Sequence, residues 1–321
     1  MYPKISSFLR IITHYFPFSV GDCIYILLVL NAIFGTIFFI YRLFNQYNKE
    51  LIRKTIYKII GFLLNTYILF MLFWGLNYSR EGIGYQLKVS PTPYSTEDLC
   101  QLSLRLITEM NLCKTELDSI PTKDSSLQNI YLIAEDAYKT TAEKFPLLTY
   151  HHPSIKSSLF TSLAPVVGFT GYYNPFSGEA QVRKDLPRIL IPFITCHEMA
   201  HQIGYADESE ASFVALIVSE NSHNNYLRYS ALIDLYRFTR MELFLRNTYP
   251  DGPDKLSKSV KADLIYIQNF FRKEAHKQSE SINNAYDMYL KFNGLEKGIE
   301  SYNDVVAWAI QWYKLKDKER H

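Results

Sequence analysis

The sequence predicts a mainly α-helical chain with a small β-hairpin or sheet, preceded at the N-terminus by two helices able to cross a bilayer. Three observations carry this prediction. Two long runs near the N-terminus hold no charged residue. A His-Glu-x-x-His segment sits in an apolar, helix-favouring context near the middle of the chain. Just before that segment, one stretch shows β-type composition around an Asn-Pro-x-x-Gly turn, and the rest reads as helix.

The two runs come first in the chain. Mean hydropathy is −0.10, but the apolar residues concentrate in residues 18–44 and 56–78. Cys23 to Tyr41 and Ile59 to Leu76 are uncharged throughout. Each is close to the ~20 residues that cross a bilayer, and aromatic residues crowd the ends. A signal peptide fits poorly, because the first run is long, lacks a small-residue cleavage site and is followed by a second run. Core helices of soluble proteins rarely stay uncharged over such lengths. The loop between the runs carries Arg42, Lys49, Arg53, Lys54 and Lys58 against Glu50, so it is expected to face the cytoplasm. The N-terminus and everything after about residue 80 then lie outside, although Lys4, Arg10, Arg80 and Lys88 blunt the asymmetry. The expected organisation is an anchor over residues 1–78, a Gly/Pro-containing linker over 79–94 and a separate domain over 95–321. A net charge of +2 on 321 residues gives no reason to expect a nucleic-acid partner.

The domain is organised around Ile194 to Gly204, within a helix expected at about residues 188–203. At 3.6 residues per turn, His197 and His201 share one face and can reach one metal ion, with Glu198 beside them to take a proton from a water. That is the pattern of a zinc hydrolase. With 8 His in 321 residues, the motif arises by chance in on the order of one such chain in a hundred. Pro192 suits the first turn, and Gly204 suits a left-handed stop. A bland alternative is a core helix whose histidines merely hydrogen-bond.

A third ligand is needed. The run from Tyr205 to Val218 reads as a second helix, with Asp207 as N-cap and Glu210 closing a capping box. Glu208 is then the free carboxylate and the expected third ligand; Glu210 and Asp207 are the alternatives. Cys196 points about 100° away from His197 and reads as core.

Ser95 to Asp98 opens a helix running to about Asp118. Cys100 and Cys113 on it are about 20 Å apart at 1.5 Å per residue, so no structural disulfide is expected. A second helix is expected over 125–144, and His151 and His152 in the following loop read as solvated. Residues 158–163 and 166–173 read as strands, with 179–182 returning after the turn. An edge strand beside the metal helix would suit an extended peptide substrate. Glu179 reads as a solvated turn-side charge, or alternatively as a substrate contact. Helices are expected at 225–250, 256–277, 280–293 and 302–318. Tyr229 is nominated to stabilise a developing oxyanion, with Tyr205, Tyr226 and His223 as further candidates.

The chain resembles the bacterial membrane family known as domain of unknown function 3810. The stretches that carry the resemblance are Pro17 to Asp22, Trp74 to Arg80, Gly171 to Ala180, His197 to His201, Glu208 to Phe213, Arg228 to Ser230 and Tyr302 to Val306. The family usually has Asn where this chain has Ser212, and a further hydrophobic segment upstream. The resemblance implies a zincin-like domain with a metal site on the extracytoplasmic side of the bacterial inner membrane. The Glu-x-Glu-Ala run is also similar to gluzincins, in which the first Glu is the ligand; this points to Glu208. The resulting expectation is a membrane-anchored zinc metallopeptidase acting on a peptide or protein substrate, with Zn2+ on His197, His201 and Glu208, and Glu198 as general base. The rival readings are a membrane-tethered binding or scaffolding protein with a structural or vestigial zinc site, and a cell-wall amide hydrolase.

Overall fold

The structure is a computed structural model that describes residues 2–45, 48–119, 126–248, 255–275 and 304–319. It opens with helix α1 (Tyr2–Thr13), followed by the long helices α2 (Val20–Asn45) and α3 (Lys49–Phe73). With 26 and 25 residues, α2 and α3 are each almost 40 Å long at 1.5 Å per residue, enough to cross a hydrocarbon core of about 30 Å. Their large apolar side chains, from Ile26 to Phe44 and from Ile56 to Leu72, are exposed. In water such a surface would be untenable, so both helices need an apolar surrounding. The second long helix starts and ends earlier than the expected 56–78: α3 begins at Lys49 and ends at Phe73, and Gly75–Ser79 form a tight 3-10 turn with Gly75 and Asn77 buried.

Of residues 79–94, expected to form a linker, Ile83, Gly84 and Val89 are buried in the fold, while Ser90 to Pro93 are exposed. Short helix α4 (Ile83–Leu87) buries Ile83 completely. Helices α5 (Thr96–Asp118) and α6 (Leu127–Lys144) follow, α5 opened by a complete Ser95/Asp98 capping box. Strand β1 (Ile155–Ser157), short helix α7 (Ala164–Val167) and strands β2 (Gly171–Asn174) and β3 (Glu179–Val182) come next. The remaining helices are α8 (Ile191–Gln202), α9 (Glu208–Asn221), α10 (Asn225–Leu245), α11 (Lys258–Ala275) and α12 (Asp304–Glu319). The helix expected at 280–293 lies outside the described residues.

The sheet order is β1-β3-β2, with β1 parallel and β2 antiparallel to β3. The hairpin forms as expected, but 158–163 and most of 166–173 are not strands. Ser158 Oγ accepts from the Phe160 amide, and Thr161 Oγ1 donates to the Ser158 carbonyl. Such local side-chain bonds compete with a ladder. Pro165 then starts α7, which Gly168 ends at a φ of 88°.

The core centres on α8 and α9. Every residue of α8 except His197 is buried, and α9 is covered by α12, where Phe213 stacks on Trp308 with centroids 4.9 Å apart. Apolar burial at about 25 cal/mol per Å2 holds this helix pair in place. Helix α1 belongs to this assembly rather than to the membrane spans. Its Ser6 and Arg10 are buried, and both donate to the Gln202 carbonyl at the end of α8. Arg10 also donates to the carbonyls of His151 and His152. Arg80, from beyond the second span, donates to the next carbonyl, Ile203, at 2.9 Å. Two cations thus satisfy carbonyls that a helix end leaves bare, at its negative dipole end.

Candidate metal centre

The corner between α8 and α9 brings the sequence-predicted ligands together. Pro192 lies in the first turn of α8, where its missing N–H costs nothing. At the far end Gly204 takes a φ of +101°, and a side chain there would run into Tyr2 and Arg80. The chain can therefore reverse within a few residues. Asp207 accepts from the amides of Ser209 and Glu210 at 2.8 and 3.1 Å, starting α9. Glu208, the first helical residue, is left facing α8.

The Nε2 atoms of His197 and His201 are 3.1 Å apart. Glu208 Oε2 is 3.1 Å from the first and 3.5 Å from the second. The ligand atoms of all three residues fall within 4.8 Å of one another. The other ring nitrogens face outward: His201 Nδ1 is 2.7 Å from the Tyr205 carbonyl oxygen, and His197 Nδ1 is 3.1 Å from Ser212 Oγ. A carbonyl only accepts, so His201 carries its proton on Nδ1 and turns Nε2 inward, the orientation a metal-binding histidine needs. Two imidazoles and one carboxylate are a donor set that suits Zn2+ with a further position open.

The electrostatics agree with that chemistry. Burial pulls the His201 imidazolium down, but Glu208 outweighs it and lifts the pKa to about 9. Burial likewise pushes Glu208 up, yet His201 and His197 hold it well below the usual carboxylate range. The pocket thus attracts positive charge, which a divalent cation supplies in place of a proton. Glu198 is 4% exposed and, among the described residues, its Oε2 has no hydrogen-bond partner. Burial drives its pKa to about 7, against the pull of His197 and His201 and with a push from Glu208. Its carboxylate lies on edge strand β2: a Cβ added at Gly171 would stand 2.5 Å from Glu198 Oε1.

The two alternative ligands are engaged elsewhere. Asp207 caps α9. Glu210 does not close a capping box; its carboxylate accepts from the Ile83 and Gly84 amides at the start of α4, and burial raises its pKa to about 7. The nominated Tyr229 hydroxyl donates to Asp263 at 2.8 Å, which also pairs with Lys114. The structure does not bring it to the ligand cluster. Tyr205 and Tyr226 donate to Gln86 and to the Arg188 carbonyl, and His223 is exposed. His151 and His152 are exposed, as expected, and serve through their carbonyls. All four cysteines are free, and Cys196 is a core residue with its thiol pushed up by burial.

Glu179 overturns both of its sequence readings. It is fully buried and accepts from the Val20 and Gly21 amides at 3.0 and 2.6 Å, capping α2. Sequence reasoning also missed Ser212, Gly171, Asp234 and Trp74. Burial raises the Asp234 carboxyl, with Arg237 and His197 pulling it back. The Trp74 ring is 5.8 Å from that of His201 and 4.7 Å from that of Tyr173. The positioning of Trp74 immediately after an apolar run was the available signal, but only a folded chain places it on a ligand.

These features define a mainly helical protein with two helices of membrane-spanning length and a buried His/His/Glu cluster able to hold a metal. The chain belongs to the family described as Protein of unknown function (DUF3810), which it matches over residues 1–310. No curated protein matches it, and no solved structure does.

Proposed function

We propose that this protein is a membrane-anchored zinc metallopeptidase, with a zincin-like domain on the extracytoplasmic face of a bacterial inner membrane. One observation carries the reading: a buried carboxylate, Glu198, with an oxygen that no described residue satisfies, stands next to a converging His/His/Glu set. A structural site would have no need of it, because leaving a buried polar atom unpaired costs about 1–3 kcal/mol.

His197, His201 and Glu208 would hold the ion, with Ser212 and the Tyr205 carbonyl fixing the two rings. When bound, Zn2+ would polarise the scissile carbonyl and lower the pKa of a water to about 7. Glu198 accepts the water proton and returns it to the leaving amine, a task that its pKa of about 7 suits. Among the described residues β2 pairs with a strand on one side only, and an extended peptide lying across Gly171 would add to its other side.

The test is zinc content and peptide hydrolysis for wild type, Glu198→Gln, Glu208→Ala and Glu210→Ala. About one zinc per chain is expected, kept in Glu198→Gln and Glu210→Ala and lost in Glu208→Ala. Unchanged hydrolysis by zinc-loaded Glu198→Gln would sink the proposal.

A further inference from the structure

The candidate ligand cluster lies far from both long apolar helices in sequence, but in space the end of α3 reaches it and the start of α2 is bonded to the hairpin beside it. The β2–β3 hairpin is bonded to the first turns of α2. Glu179 caps that helix; Asp22 accepts from the Tyr172 hydroxyl and, at 2.7 Å, from the Leu159 amide. Tyr25 packs edge-on to Phe176. A Cβ on Gly21 would collide with Asn174 and Ser177. At the other span, Trp74 directly follows α3 and contacts both Tyr173 and His201. Strand β2 therefore joins the two regions: Gly171 lies against Glu198, and Asn174 lies against the start of α2. Three residue steps at about 3.3 Å put roughly 10 Å between them.

The approach to β2 is itself apolar and exposed. Leu159, Leu163, Val166 and Val167 are between 40% and 53% exposed. With the Leu159 amide fixed to Asp22, this patch continues the apolar surface of α2 and of Phe18, which is also exposed. An apolar rim continuous with a membrane span has one natural cover, lipid.

Resting on the peptidase reading, we infer that the site beside β2 faces the lipid surface, with residues 159–167 seated in the headgroup region. Its substrate is a membrane-anchored polypeptide cut close to its anchor. A soluble peptide would have to reach β2 past the bilayer. A chain emerging from lipid arrives already extended and at high effective concentration.

The full chain, zinc-loaded in phosphatidylethanolamine/phosphatidylglycerol liposomes, is given one degenerate peptide library in three forms: free, on a lipid anchor with a spacer of about 5 residues (roughly 17 Å extended), and with one of about 30 residues. The short-spacer form is expected to be cut at least about tenfold faster than the free form. On the long-spacer form, cuts are expected to cluster within about ten residues of the anchor, which tethering alone would not produce. Equal rates on free and anchored forms, or cuts spread evenly along the long spacer, overturn the inference while leaving the peptidase reading intact. No cutting of any form by a zinc-loaded chain overturns both. In the same liposomes, a photoactivatable lipid is expected to label residues 159–167; labelling confined to α2 and α3 overturns the seating.

Discussion

Two glutamates, Glu179 and Glu198, are both buried, both close to the β-hairpin and both pushed up in pKa by desolvation. Their surroundings differ in one respect. Glu179 accepts from two backbone amides at the start of α2, whereas Glu198 keeps an oxygen with no partner among the described residues. The first arrangement fixes where a long apolar helix begins. The second preserves a proton acceptor at the price of stability. A buried carboxylate is thus read by what satisfies it, not by its depth or its pKa.

The largest expected effect breaks the pair apart by function. Glu198→Gln should lower peptide hydrolysis by about 10^2- to 10^4-fold with zinc content unchanged, as removal of a general base does. The metal-free variant should also unfold no more easily than the wild type. The pH dependence sharpens this. A carboxyl raised to about 7 in the fold, from about 4.3 unfolded, contributes stability that is fully present below pH 4.3 and is lost as pH rises through 7. Metal-free wild type should therefore lose a few kcal/mol relative to Glu198→Gln between pH 5 and pH 8, read from unfolding midpoints in detergent. A constant difference across that range would contradict the assignment.

Glu179→Ala should do the reverse, costing about 2–3 kcal/mol by stranding the Val20 and Gly21 amides. Glu179→Gln, which keeps an acceptor, should recover most of that loss, and hydrolysis per zinc-loaded folded molecule should stay within a few-fold of wild type for both. A smaller effect is expected at Ser212, whose hydroxyl meets His197 Nδ1. Ser212→Ala should weaken zinc binding by about tenfold, at the low end for a residue that orients a ligand. A competition titration against a chelator measures it.

The sequence makes one of these glutamates legible and hides the other for a physical reason. Glu198 belongs to a pattern with helical spacing, so five consecutive positions suffice to place it. The same locality made α5, α8 and the start of α9 readable, since each rests on a cap or on the 3.6-residue period. Glu179 takes its role from amides about 160 residues earlier, and no local pattern encodes that contact. Glu210 matches a capping box in sequence, yet the amides of α4 compete for its carboxylate and win. Residues 158–167 have β-type composition, but Ser158 and Pro165 decide for turns and a short helix. Trp74 and Gly171 became part of the site only through packing between distant segments.

The clasp of Arg10 on the end of α8 has a consequence for the order of assembly. Arg10 is 192 residues ahead of its acceptor Gln202. At about 5–20 residues per second, roughly 10–40 s of synthesis separate the two. During that interval both long apolar helices emerge, and α1 has no docking site. Helix α1 is therefore held back until α8 exists, and the corner that carries the candidate ligands is closed by a residue translated before either long apolar helix.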